Sequence, residues 1–255
     1  MKKLLASITA AALLTTVAYA EQDLSSIDNT KIAWGLGSSK DSHGKPVDAV
    51  NAQRKYGEMG GLFVGDNTDE QHKNLWLTFD EGYENGYTAK ILDILKAKNV
   101  RAVFFVTYDY AKDNPELIRR MIDEGHTVGN HTWSHPSLPE CSVDELRDEL
   151  FKLHEYIKSE FNYEMYVMRP PMGEFSERVL TCAKELGYTT VLWSFAYKDW
   201  VAESQPDAEF AYDKITSGAH NGAIYLLHAV SKTNTRVLPD VIDYWRENGY
   251  IITPM

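Results

Sequence analysis

LWLTFDEGYENGYTAKILDIL, residues 75–95, decides the fold. The run at 75–79 is short and apolar and reads as a buried strand. The acidic pair Asp80-Glu81 with Gly82 makes a tight turn, and an amphipathic stretch over 88–98 reads as a helix. The same strand-turn-helix unit recurs down the chain. Further strands are expected at 102–107, 126–131, 166–170, 190–195, 223–228 and 250–253, and helices at 115–124, 143–161, 176–186, 207–217 and 235–248. Pro115 sits just inside a helix start, and Gly125 and Gly187 just past helix ends. About seven βα repeats predict an α/β fold, a distorted (β/α)7-type barrel in one domain whose active site lies at the carboxyl ends of the strands.

Outward from this core, residues 21–70 are Gly-rich and weakly periodic, so they read as a loop-rich arm packing on a barrel domain of 71–255. Residues 1–20 carry Lys2 and Lys3, an apolar stretch from Leu4 to Val17, and Ala18-Tyr19-Ala20 before polar residues. This is the pattern of a secretory signal peptide cleaved after Ala20, too interrupted by Ser7, Thr9, Thr15 and Thr16 for a membrane anchor. No membrane span is expected after cleavage, and the protein should act outside the cytoplasm or in the cell envelope.

Among the 255 residues, 44% are hydrophobic, enough for one sizeable core. The net charge of −11, with no Lys/Arg run, argues against nucleic acid as a partner. Two cysteines exclude a disulfide scaffold and a Cys-rich metal site, leaving Cys141 and Cys182 as one bridge or two separate buried thiols. A metal would have to sit on His and carboxylates.

Polar residues gather at the predicted strand ends: Asp80 and Glu81, His131 and His135, Arg169, Asp199, then His228. His131 and His135 lie four apart and share a face if their segment turns helically, so the pair can ligate one ion. A carboxylate base beside metal-activated water suits hydrolysis of an amide or ester. His126, at a strand start, reads as a hydrogen-bonded structural histidine. No G-x-S-x-G elbow or phosphate-binding glycine loop is present.

Five ordered motifs, LTFDEGYENGYTAKILDIL, GNHTWSHP, RPPMG, WSFAYKDW and LLHA, resemble those of the NodB-type polysaccharide deacetylases, carbohydrate esterase family 4. The likeness covers about residues 75–250. It is closer to the subgroup acting on N-acetylmuramic acid of peptidoglycan, through GYENGYT at 82–88 and, in the arm, Trp34-Gly35, Lys55-Tyr56-Gly57 and residues 65–68. The resemblance implies a hydrolase removing N-acetyl groups from a cell-wall glycan. In it Asp80 is the general base, held by Arg169, and His228 is the general acid, tuned by Asp199. A divalent ion, zinc by expectation, would sit on His131, His135 and Glu81. The family's usual third ligand is Asp. Glu81 is one methylene longer, and either ligates after a small backbone shift or turns outward and leaves a two-histidine site.

Met172 is implied to offer an oxyanion-hole N–H, Leu226 to line the acetyl slot, and Trp200, with Trp133, to flank the sugar. Ala196 stands where many members have a further Asp. A lactyl carboxylate on muramic acid would want a cation, for which Lys198 and Arg178 are candidates. The glycan is the expected partner and a monomer the expected state. Rival readings are deacetylation of N-acetylglucosamine or chitin-like chains or of acetylated xylan, a glycan-binding module without catalysis, and a structural metal clip on the histidine pair.

Overall fold

The computed structural model describes residues 23–65 and 71–255, so the expected signal segment lies outside the described residues. The strands are β1 (Ile32–Ala33), β2 (Gly61–Leu62), β3 (Lys73–Glu81), β4 (Val103–Val106), β5 (Thr127–Asn130), β6 (Val167–Met168), β7 (Glu174–Phe175), β8 (Thr189–Val191), β9 (Phe195–Ala196), β10 (Ala223–His228) and β11 (Tyr250–Ile252). Among the described residues, nine of them form one sheet in the order β2-β8-β6-β5-β4-β3-β10-β9, with β11 on the lower part of β3. All its pairings are parallel. The two outermost strands, β2 and β9, do not pair, so the curled sheet stays an open half-barrel.

Around the sheet run α1 (Val47–Tyr56), α2 (Thr88–Ala97), α3 (Tyr108–Asp113), α4 (Pro115–Asp123), α5 (Val143–Phe161), α6 (Glu177–Glu185), α7 (Ala208–Ser217) and α8 (Lys232–Glu247). Their ends obey local chemistry. Ser142 and Glu145 close a reciprocal capping box on α5, Pro115 opens α4, and Gly125 and Gly187 take positive φ past α4 and α6. No helix of the described residues is long and apolar enough to cross a membrane.

Parallel strands covered on both faces are apolar throughout, and the pleat alone sorts their side chains. Leu75, Leu77 and Phe79 of β3 pack outward into the large helix-facing core, as do Phe104 and Val106 of β4 and Tyr225 and Leu227 of β10. Val103, Phe105, Val167, Val191 and Ile224 form a second cluster inside the curl, with Leu62 and Trp76 against it. The inward register of β3 is therefore Trp76, Thr78, Asp80. In the β3–β10 pairing Asp80 lies opposite His228, so both stand at the open end of the interior.

Two sequence expectations change, and an alternative left open for the cysteines is decided. The arm is not only turns, because residues 47–56 form α1 and Gly61–Leu62 adds β2 to the sheet beside β8. The strand expected at 190–195 splits into β8 and β9, which lie on different stretches of the sheet. Cys141 and Cys182 are free thiols: Cys182 is buried in α6, and the Cys141 Sγ–H reaches Ser137 O at 3.7 Å. His126 behaves as a structural residue, accepting the Ala102 N–H on Nδ1, with burial holding the ring neutral and its pKa near about 4.

Gly129 of β5 faces inward beside Phe105 of β4, where a Cβ would lie 2.5 Å from the Phe105 ring and 3.1 Å from Val167. The missing methyl gives room to the ring on which the Arg169 guanidinium rests, 4.3 Å from its centroid. Gly129→Ala is expected to cost about 1–3 kcal/mol by overpacking. Urea unfolding measures this, and an unchanged midpoint would show that the ring is free to move aside.

Candidate active site

A cleft opens at the carboxyl ends of the strands, with two lobes that share Asp80, His131, His135, Trp200 and His228. At its base lies a buried ion pair. Arg169 follows β6 in the inward register, fully buried, and its Nη1 donates to Asp80 Oδ1 at 2.7 Å. Its Nε donates to Val191 O at 3.0 Å and its Nη2 to Leu192 O at 3.4 Å, so the fork is fixed from two sides. Burial alone would raise the Asp80 carboxyl, but the charge of Arg169, helped by His131 and His228, outweighs it and holds the group below the usual carboxylate range.

The Arg169 main chain also orients the first histidine. His131 Nδ1 donates to Arg169 O at 2.8 Å, which puts the proton on that nitrogen and turns Nε2 to the pocket, 3.7 Å from Asp80 Oδ2. Burial drives the His131 pKa down to about 4, so the ring is neutral and its Nε2 lone pair is available. His135 meets it with ring centroids 5.0 Å apart.

The expected helical turn does not bring the pair together. Thr132 and His135 both take positive φ in an irregular loop, braced by Asn130 Oδ1 accepting from Thr132 N, Thr132 Oγ1 accepting from His135 N, and Glu149 accepting from Ser134. Two neutral or neutralisable imidazoles aimed at one space suit a borderline divalent cation. A full set of three His, Cys, Asp or Glu donors is not found among the described residues.

Glu81 is the reason, and the expectation that it ligates is corrected here. One residue beyond Asp80, it falls on the opposite side of β3 and faces the helices. There it is fully buried, 3.5 Å from Thr88 Oγ1, with Oε1 unpartnered, and it does not line the cleft. Burial, reinforced by Glu84 and Asp80, pushes its carboxyl well above the ordinary value.

On the other wall His228 ends β10. Its Nδ1 donates to Asp199 Oδ1 at 2.7 Å and its backbone N–H to Asp199 Oδ2 at 2.9 Å. Desolvation opposes the imidazolium, yet the hydrogen bond and charge of Asp199 win and raise the His228 pKa above its ordinary value. Asp199 is itself pinned by Asn234 Nδ2 at 2.5 Å, and Tyr197 OH donates to Asn234 Oδ1. Asn234 was missed in the sequence because the helix start was placed at 235. The Ser231 cap three residues before Asn234 was the available signal.

Of the remaining candidates, Leu226, Trp200, Met172, Trp133 and Lys198 line the cleft. Leu226 shares the inward register of His228, Trp200 stands half exposed beside it with ring centroids 5.5 Å apart, and Met172 projects from a turn where its φ is +58°. Trp133 lines the far lobe while stacking on Tyr108. The arm supplies Trp34, Gly35 and Leu36 to the near lobe, fixed by Trp34 Nε1 donating to Trp193 O at 2.9 Å and by the pairing of β1 with β7. Lys198 also lines this lobe. Arg178 does not line it; its backbone N–H donates to Asp28 O at 3.0 Å.

Comparison with known proteins agrees with this geometry. Residues 67–191 match the family model for polysaccharide deacetylase. The peptidoglycan-N-acetylmuramic acid deacetylase PdaA of Bacillus subtilis is 43% identical over 97% of this chain and 92% of its own length. The solved structure of Bacillus subtilis PdaA, described as a family 4 carbohydrate esterase, superposes with a TM-score of 0.83, at 41% identity, over 89% of this chain and 96% of that one. A chitooligosaccharide deacetylase of Bradyrhizobium is 32% identical over 82% of this chain and 96% of its own length. With the buried Asp80–Arg169 pair, the two histidines and the Asp199–His228 pair set at its strand ends, the chain belongs to the polysaccharide deacetylase family, carbohydrate esterase family 4.

Proposed function

We propose that this chain is an exported, monomeric hydrolase that removes the N-acetyl group from N-acetylmuramic acid in peptidoglycan. The observation that carries the reading is the pairing across the cleft of two oppositely tuned groups, Asp80 shifted toward its ionised form by Arg169 and His228 shifted toward its protonated form by Asp199. Two titratable groups pushed apart by their surroundings are what acid-base hydrolysis needs. The likeness to PdaA over nearly its whole length favours muramic acid, and the chitooligosaccharide deacetylase at lower identity keeps N-acetylglucosamine chains as the second reading.

In this reading Asp80 takes a proton from water as its oxygen attacks the acetyl carbon. His228 then gives its proton to the amine nitrogen as the C–N bond breaks and acetate leaves. Arg169 keeps Asp80 ionised and aimed, Asp199 favours the charged form of His228 and aims it, Leu226 borders the acetyl methyl, and Trp200 offers a face to the sugar ring. The Met172 backbone N–H serves the developing oxyanion. His131 and His135 would hold a divalent ion, zinc in our reading, which when bound polarises the amide and lowers the pKa of water.

Purified protein is expected to release acetate from peptide-free peptidoglycan glycan, and Asp80→Asn to lower that rate by about 10²–10⁴-fold. Release from chitin oligosaccharides alone would discard the muramic reading. A chelator should abolish release while circular dichroism stays unchanged, with activity returning on zinc; loss of the fold would instead mark a structural clip.

The pH profile follows from the two directions. Activity rises on the acid side through a carboxyl pKa below the ordinary Asp value, and falls on the alkaline side through an imidazole pKa above the ordinary His value. Asp199→Asn removes the charge that raises His228, so the alkaline limb should move to lower pH. An unmoved limb would take the proton-donor role away from His228.

A further inference from the structure

The cleft is charged unevenly. Its far lobe carries Asp109, exposed on α3 beside Tyr83 and Trp133. Its near lobe, walled by Trp34 and Leu36 of the arm and by Met172, carries Lys198. Among the described residues that line either lobe, Lys198 is the only lysine or arginine. It is exposed, and among the described residues no ion pair or hydrogen bond engages it. Two lysines of the arm are paired instead, Lys31 with Glu140 and Glu174, and Lys55 with Glu177.

The backbone that presents Lys198 is fixed. Residues 197–200 alternate between buried and exposed: Tyr197 and Asp199 point in, Lys198 and Trp200 point out. Asp199 is tied to His228 twice and to Asn234 once, so the Cα of Lys198 is registered against the imidazole one residue away. The protein as a whole carries −11, which repels an anionic glycan. Away from the central histidines that both lobes share, an anionic group entering this cleft is drawn to the near lobe by Lys198 and repelled from the far lobe by Asp109.

We propose that Lys198 is a specificity-determining residue that binds a carboxylate next to the reacting acetamido group, namely the lactyl carboxylate of muramic acid. The inference rests on the deacetylase reading above. In muramic acid the acetamido group is on C2 and the lactyl ether on C3, so the two substituents leave neighbouring ring carbons. With the acetamido carbon between Asp80 and His228, the carboxylate reaches the arm-side lobe, and the glycan chain takes a fixed direction across the cleft. N-acetylglucosamine has a bare hydroxyl at C3 and gains nothing from this contact.

The test compares acetate release from peptide-free peptidoglycan glycan with its lactyl groups as free acids and as methyl esters, for wild type, Lys198→Met, Lys198→Arg and Lys198→Glu. Lys198 is exposed, so these variants are expected to fold. Wild type should favour the acid over the ester by about fivefold to tenfold in kcat/KM, a preference that fades with added salt. Lys198→Met should bring the ratio near one, Lys198→Arg should keep it, and Lys198→Glu should invert it. An acid-to-ester ratio unchanged in Lys198→Met overturns the assignment while leaving the deacetylase reading intact. Wild type that releases acetate from chitin oligosaccharides but from neither muramic substrate overturns the assignment together with the muramic reading, while the deacetylase activity stands.

Discussion

Arg169 is the constraint on which the cleft depends. A fully buried guanidinium is costly unless every face is answered, and here three structural elements answer it. Asp80 from β3 supplies the counter-charge, the carbonyls of Val191 and Leu192 at and after β8 take two further N–H groups, and Phe105 of β4 lies beneath the plane. Its backbone is used as well, since Arg169 N donates to Asn130 O and Arg169 O receives the His131 ring proton. One residue thus sets Asp80, His131 and the spacing of four strands. Such a pair contributes little net stability compared with apolar packing of the same volume, but it leaves one low-energy arrangement for the groups it touches.

Much of this was legible in the sequence because it is local. Strand-turn-helix units announce themselves through period and punctuation, and the strand at 223–228 and the helix at 143–161 fall where hydropathy placed them. Chemistry-bearing residues at strand ends were likewise visible, since in a parallel sheet loops at those ends converge. What was hidden is what only tertiary contact decides. The helix at 47–56 has weak amphipathicity and borrows its stability from Ala49, Ala52 and Tyr56 packed on the body. Asn234 gains meaning only because α8 starts beside Asp199.

Glu81 shows a rule that was available but masked. Strands covered on both faces show no polar-apolar alternation, so nothing in LWLTFDE marks which residues face the interior. Counting parity from Asp80 separates the two carboxylates at once: Asp80 joins Trp76 and Thr78, and Glu81 joins Leu75, Leu77 and Phe79. The longer side chain cannot undo a rotation of half a turn about the strand axis. Once on the helix side, the group is driven toward its neutral form by burial and by Glu84, at far lower cost than a buried charge.

That displacement redistributes the work inside the cleft. A site with a third anionic donor would offset the charge of a bound cation locally. Here His131 and His135 are neutral donors, and the one carboxylate nearby, Asp80, already shares its charge with Arg169. Two imidazoles hold a cation less tightly than two imidazoles and a carboxylate, so more of the polarisation falls to fixed protein groups. The structure is built accordingly, with both members of the proposed acid-base pair, Asp80 and His228, locked by hydrogen bonds to buried partners. Asp199 is bound on both oxygens and Arg169 on both sides of its fork, so neither Asp80 nor His228 must reorganise when a ligand arrives.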